Sequence, residues 1–191
     1  MKKLIYGVGI NDADYAITQT VDGVTKKCPY YSAWHSMIKR CYDPIEHRNY
    51  PNYVGCEVFD DWKFLSKFKT WMEQQDWQNK QLDKDLLIRG NKFYSPETCC
   101  FLDSRVNGFL TERQASRNTG AMIGASIHKA TGKYRAYCND PFTNKWEYLG
   151  LHVEQQAAHL AWKARKHYHA CRLAELEPNI RIKEALENRY K

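Results

Sequence analysis

The sequence has no apolar run near the roughly 20 residues that span a bilayer as a helix, and its first ten residues carry two lysines among a few apolar positions. A membrane span and a signal peptide are not expected, so the reading is a soluble chain of the cytoplasm with no membrane partner. It has no Cys-x-x-Cys pair either. Seven cysteines, an odd number spread over 191 residues, argue against a disulfide framework and for reduced thiols or metal ligands in a reducing compartment. Internal repeats, low-complexity tracts and long linkers are also missing, which sets repeat arrays aside.

What is present is a globular composition, 43% hydrophobic and 14% aromatic. The length fits one medium domain or two small ones, each near the lower limit for burying its own core. Charge is unevenly placed. From Met1 to Ser116 there are 16 Lys and Arg against 15 Asp and Glu, whereas Arg117 to Arg172 has nine against three and five of the seven histidines. The last 19 residues are balanced, four against four. A basic excess confined to one module is what phosphate neutralisation requires, although a solvated lysine-rich surface has the same composition.

The polar tract Glu112 to Gly120 is the best boundary, dividing a module at residues 1–116 from one at 117–173, with a tail at 174–191. In the first module, Tyr31, Trp34, Ile38 and Cys41 fall at helical spacing over Tyr30 to Tyr42, and Asp43-Pro44 ends that helix. Asp60 to Trp77 reads as a second helix, capped by Asp60 and Asp61, with Trp62, Leu65, Phe68, Trp71 and Met72 on one face. Extended pieces are expected at Cys56 to Phe59, Leu82 to Ile88 and Thr98 to Leu102. In the second module, strands are expected at Ile123 to Lys129, Lys133 to Asn139 and Lys145 to Leu149, with turns at Thr131-Gly132 and Asp140-Pro141. Val153 to Leu173 then forms a helix whose stripe is Val153, Ala157, Leu160, Ala161, Ala164, Tyr168 and Cys171. The fold class is therefore α+β, a small mixed α/β module followed by a three-stranded antiparallel sheet packed on one helix.

One face of such a sheet packs on the helix while the other is left to present Arg, Tyr and Lys to a partner, and double-stranded DNA is the partner that a basic, ring-bearing ribbon suits. The segments Ile-Gly-Ala-Ser (123–126), Gly-Lys-Tyr-Arg-Ala-Tyr (132–137), Lys-Trp-Glu-Tyr-Leu-Gly (145–150) and Gln155 to Trp162 resemble the ethylene-response-factor type of plant DNA-binding domain, whose relatives also occur in phage and mobile-element nucleases. The resemblance covers roughly 50 residues and implies DNA contacts from the exposed strand side chains. On that pattern Ser126, His128, Tyr134, Tyr137, Asn139, Trp146 and Tyr148 match contacting or near-contacting positions, and Lys129 lies beside them. Arg135 and Lys145 are added from charge and expected exposure. Several positions that are arginine in the plant proteins are Ser, His or Asn here, so the resemblance carries over neither the target sequence nor the tightness of binding. The alternative for Tyr134 and Trp146 is a place in the sheet–helix core; for Arg135 and Lys145 it is a solvated face.

The tract from Gln81 to Phe101 (Leu-Asp-Lys-Asp with Tyr-Ser-Pro-Glu-Thr-Cys behind it), Asn107, and Trp34, Met37, Arg40-Cys41, Cys56 and the Trp62-to-Trp71 segment resemble phage homing endonucleases of the HNH class. That resemblance implies a divalent-metal site with a histidine base and a late Asn or His. Asp83 and Asp85 are the candidate magnesium ligands, Asn107 the residue that orients one of them, and Lys84 stands where the base histidine belongs. A lysine of ordinary pKa is a poor base. His35 and His47, the only histidines of this module, read as surface or packing residues. Cys28, Cys41, Cys56 and Cys99 could form a zinc staple only if the fold assembled them, free buried thiols being the alternative; Cys100, Cys138 and Cys171 read as core. Three functional classes follow: a metal-dependent DNA endonuclease, a non-catalytic DNA-binding regulator with a degenerate nuclease module, and a phage protein that inhibits a host enzyme by protein contact.

Overall fold

The protein, seen in a computed structural model that describes residues 4–111 and 122–191, is an α+β molecule. It divides into two compact units, Met1–Leu102 and Asp103–Lys191. The expected boundary tract, Glu112 to Gly120, falls within the stretch outside the described residues.

In the first unit, β1 (Thr18–Val21) and β2 (Val24–Lys27) make an antiparallel hairpin about Asp22-Gly23, both at positive φ. This is the Asp-Gly signal for a two-residue turn matched to strand twist. Helix α1 (Pro29–Tyr42) buries Trp34, Met37, Ile38 and Cys41, the stripe that its periodicity predicts with Met37 in place of Tyr31. A short α2 (Pro44–Asn49) follows, its first turn capped by the Asp43 carboxylate accepting the Ile45 N–H at 2.9 Å. The expected helix from Asp60 to Trp77 is broken in two: a 3-10 turn at Asp60–Lys63 and then α3 (Leu65–Met72). Asp60 and Asp61 lie inside that turn and do not cap α3. Asp12 does so from elsewhere, accepting the Ser66 N–H at 2.8 Å and its hydroxyl at 2.5 Å. Trp62 anchors the break, its carbonyl accepting the buried Trp34 indole N–H at 2.7 Å.

Two small pairings complete this unit: β3 (Glu57–Val58) runs parallel to β5 (Phe93–Tyr94), and β4 (Gln81–Asp83) antiparallel to β6 (Cys100–Leu102). Trp34, Ile38, Trp62, Phe68, Met72, Leu82, Tyr94 and Phe101 share one core. The strand expected over Leu82 to Ile88 stops at Asp83, because that carboxylate accepts the N–H groups of Asp85 and Leu86 and folds the chain into a turn.

In the second unit, α4 (Ser104–Leu110) is capped by Asp103, whose Oδ1 accepts the Val106 N–H at 2.7 Å. Strands β7 (Ala125–Ile127), β8 (Tyr134–Asn139) and β9 (Trp146–His152) form an antiparallel sheet in the order β7-β8-β9. They are followed by α5 (Gln155–Glu175) and α6 (Ile180–Asn188). The unit starts ahead of the expected boundary because Phe109 of α4 packs edge-on against Tyr190 and lies 3.7 Å from the Lys166 ammonium. The expected tail is likewise part of the fold: α6 buries Ile182 and Leu186, and Tyr190 packs edge-on against Trp162.

Helix α5 does not bury the expected stripe. Val153 precedes it and is exposed, as are Leu160 and Tyr168, while Ala158, Trp162, Lys166, His169, Ala170, Leu173 and Ala174 are buried. The helix has neighbours on more than one side, and two polar side chains enter its buried arc because specific partners receive them. Lys166 donates to the Phe109 carbonyl beneath three aromatic rings, and His169 meets Glu147. Its approach to the sheet depends on Gly124 at φ +79°, where a Cβ would stand 2.0 Å from Cγ of Trp162.

Candidate nucleic-acid interface

Alternation along the strands decides which side chains meet α5 and which are left outward. Ala136 and Cys138 of β8 are fully buried, and Glu147, the cross-strand partner of Cys138, bonds to His169 and Arg165 of α5. These positions therefore face the helix. The intervening residues face away: Arg135, Tyr137 and Asn139 on β8, Trp146 and Tyr148 on β9, and Ser126 on β7 opposite Arg135. Trp146 is 68% exposed and Tyr148 57%. Tyr137 and Tyr148 are paired across the strands with ring centroids 5.2 Å apart, a tilted stack that fixes both rings.

Beyond Tyr148 the register shifts between Arg135 and Tyr137, so that Leu149 and Gly150 oppose the single residue Ala136. Gly150, at φ +109°, supplies the backbone freedom of this bulge, and bulges sharpen the twist of a ribbon. Leu151 then pairs with Arg135. The Arg135 guanidinium is half-buried and its Nε has no hydrogen-bond partner.

Of the ten strand and turn residues expected to touch DNA, the structure brings Ser126, Arg135, Tyr137, Asn139, Trp146 and Tyr148 onto this one face. Lys129 and Lys145 are exposed at the two hairpin turns that border it, where Lys133 is also exposed. His128 sits at the β7–β8 turn with Nδ1 2.8 Å from the Thr131 hydroxyl, so its ring serves the turn. Tyr134 is a correction: it packs with the Ala125, Ala136 and Ala158 cluster on the helix side and is not presented outward. Trp146, for which a core position was the alternative, is outward. Among the described residues the face carries no carboxylate, since Glu147 is turned to α5 and Asp140 is occupied in its own turn, accepting from the Phe142 N–H and the Thr143 hydroxyl.

The expected nuclease centre is not assembled in the same way. Lys84 is 5% exposed, and its ammonium donates to both oxygens of Asp85 at 2.8 Å and to the Asn91 carbonyl at 2.7 Å. Asn91 in turn donates to the carbonyls of Lys84 and Phe93. Asp83 Oδ1 is committed to two backbone N–H groups, and burial raises its pKa despite those bonds. Asp83, Lys84 and Asp85 thus hold a hydrogen-bonded loop together, the work of a structural turn. Asn107, expected to complete their site, folds with the second unit in α4, where its carbonyl accepts the Thr111 hydroxyl. His35 stacks among Tyr6 and Tyr31, and His47 bonds to the Arg40 carbonyl, both consistent with packing roles.

The four cysteines proposed as zinc ligands do not converge: among the described residues, no three of Cys28, Cys41, Cys56 and Cys99 bring their sulfurs close enough to share an ion. Cys41, Cys56 and Cys99 are buried core thiols whose pKa values burial pushes up, that of Cys99 to about 12. Among the described residues, the one group of three metal-capable side chains is Cys138, Glu147 and His169, in the second unit. Sequence reasoning missed it because the three are brought together only by the β8–β9 register and the helix rotation. Among the described residues, no helix is long and apolar enough to cross a membrane. No family model, curated protein or solved structure matches this chain.

Proposed function

We propose that the protein binds double-stranded DNA through the outward face of β7, β8 and β9, and that it does so without a cutting step assigned to Asp83, Lys84 and Asp85. One observation carries this reading: Arg135, Tyr137, Asn139, Trp146 and Tyr148 share a face on which no carboxylate stands among the described residues, with Lys129, Lys133 and Lys145 exposed at the turns beside it. Lysines at the margins can neutralise phosphates on either side of a groove, while Asn139 and Arg135 can meet base edges and the rings can pack on thymine methyls or sugars. The twisted, bulged ribbon is of a shape that the major groove admits. This reading keeps the likeness to the ethylene-response-factor type of domain for the second unit and treats the first unit as a nuclease-like module whose loop residues have structural duties. Magnesium at Asp83 and Asp85 is not part of it.

The test is duplex binding by the full chain and by a Trp146→Ala, Tyr148→Ala variant. Both rings are mostly exposed, so melting should be little changed. Affinity should fall roughly tenfold or more, since truncating a Trp or Tyr anchor at the centre of an interface costs about 2 kcal/mol or more. Equal affinity for duplex in the two proteins, or binding to acidic proteins but not to duplex, overturns the reading.

A further inference from the structure

Cys138 on β8 and Glu147 on β9 are cross-strand neighbours on the helix side of the sheet, and His169 of α5 meets them. One donor atom from each lies within 4.8 Å of the other two. Cys138 is fully buried, His169 is 1% exposed and Glu147 half-buried. His169 Nε2 lies 2.7 Å from Glu147 Oε2. Its Nδ1, equally buried, has no hydrogen-bond partner, the nearest carboxylate oxygen, Asp140 Oδ1, being 3.9 Å away. A buried ring nitrogen left without a partner is uncommon in a folded protein, and a histidine that ligates a metal through one nitrogen ordinarily turns the other to a carboxylate, here Asp140.

The donor set narrows the answer. Magnesium and calcium take shells of oxygen, whereas a thiolate, an imidazole and a carboxylate together suit a borderline ion that accepts sulfur, nitrogen and oxygen in a tetrahedron. We propose that Cys138, Glu147 and His169, the last through Nε2, form a zinc site that fastens α5 to β8 and β9, its fourth position filled by water. The gain would be structural, since a small unit stabilises itself by tying a helix to its sheet.

Uptake of the ion rearranges what is there. Nitrogen and oxygen ligands on one tetrahedral zinc stand roughly 3.3 Å apart, given bonds of about 2.0–2.1 Å. The 2.7 Å contact between His169 and Glu147 therefore belongs to the metal-free state and opens by about 0.6 Å when zinc is bound. Zinc displaces the proton that Nε2 shares with Glu147, which passes to Nδ1 on the side of Asp140, and the Cys138 thiol binds as thiolate, so one proton leaves to solvent for each ion taken up. Arg165, whose Nε is 3.2 Å from the same Glu147 oxygen, keeps its partner if the carboxylate binds zinc through one oxygen and the guanidinium through the other.

The experiment uses the full chain, equilibrated with zinc and freed of excess, then with cobalt(II) in its place. One zinc per chain should be retained, and the cobalt form should show thiolate-to-metal charge-transfer absorption. Cys138→Ser should abolish that absorption, and Glu147→Gln, at a half-buried position, should weaken zinc binding roughly tenfold or more while the absorption persists. Failure of the wild type to retain zinc overturns the proposal. So does an absorption that survives Cys138→Ser, which would put the ion on other cysteines. Should Cys138→Ser not fold, Glu147→Gln decides alone: unchanged zinc affinity overturns the site.

Discussion

Replacing Gly124 by alanine tests how α5 is seated on the sheet. The new Cβ would stand 2.0 Å from Cγ and 2.4 Å from Cβ of Trp162, well inside van der Waals contact. Trp162 cannot simply swing aside, being stacked on His159 with centroids 5.5 Å apart and edge-on to Tyr190 at 6.0 Å. Forcing atoms into a packed core costs about 1–3 kcal/mol, and a non-glycine residue in the left-handed region adds about 1–2 kcal/mol. The expected loss is about 3 kcal/mol, which for a unit of this size lowers the melting temperature by roughly 12–24 °C. Urea unfolding of the second unit, followed by exchange of the β7–β9 amides, measures the loss. In a Trp162→Gly background, which removes both clashing atoms, the steric part should vanish and leave only the backbone part, about 1–2 kcal/mol. A Gly124→Ala cost below about 1 kcal/mol, or the same cost in both backgrounds, would refute the packing argument.

Other consequences are as direct. Lys84→Met removes the ammonium from Asp85 and the Asn91 carbonyl, and should destabilise the first unit by about 2 kcal/mol in denaturant titrations; supercoiled plasmid incubated with the wild type and magnesium should stay intact. Burial raises the thiol pKa values of Cys41, Cys99 and Cys138, the last two to about 12 and about 11. A raised folded-state value means stability that is complete below the unfolded thiol pKa and lost as pH climbs through the folded one, so melting temperature in the absence of added metal should fall progressively from about pH 9 upward. A flat profile between pH 9 and pH 11 would contradict this burial. Finally, the logarithm of duplex affinity should fall linearly with the logarithm of salt concentration, and Lys133→Ala with Lys145→Ala should flatten the slope by about 1–2, one phosphate contact per side chain.

Much of the second unit is legible in the sequence because its signals are local. Alternation in Tyr134 to Cys138 gives β8, and the same period separates Ala136 and Cys138 from Arg135 and Tyr137. Tyr134 is misread because the family resemblance overrides that period, which sets it with Ala136 and Cys138, and here the small Ala125, Ala136 and Ala158 leave room for it. The rotation of α5 is misread for a related reason: apolar periodicity locates a buried arc only when polar residues stay out of it, and Lys166 and His169 are buried by partners at Phe109 and Glu147 that no spacing rule supplies. In the first unit the Trp34 stripe is readable, whereas the break at Lys63–Phe64 is not, since nothing between Asp60 and Met72 forbids a continuous helix. Leu-Asp-Lys-Asp looks like chemistry by its residue types. Its duty emerges only from the distances that tie Lys84 to Asp85 and Asn91.

Hydroxyl-radical footprinting of the full chain with and without a duplex measures the proposed face residue by residue. Trp146, Tyr148 and Tyr137 should be protected by DNA, while Tyr168 and Leu160, exposed on α5, keep their free-state reactivity. Protection confined to α5 or to the first unit, with Trp146 and Tyr148 oxidised as fast as in the free protein, would contradict the account.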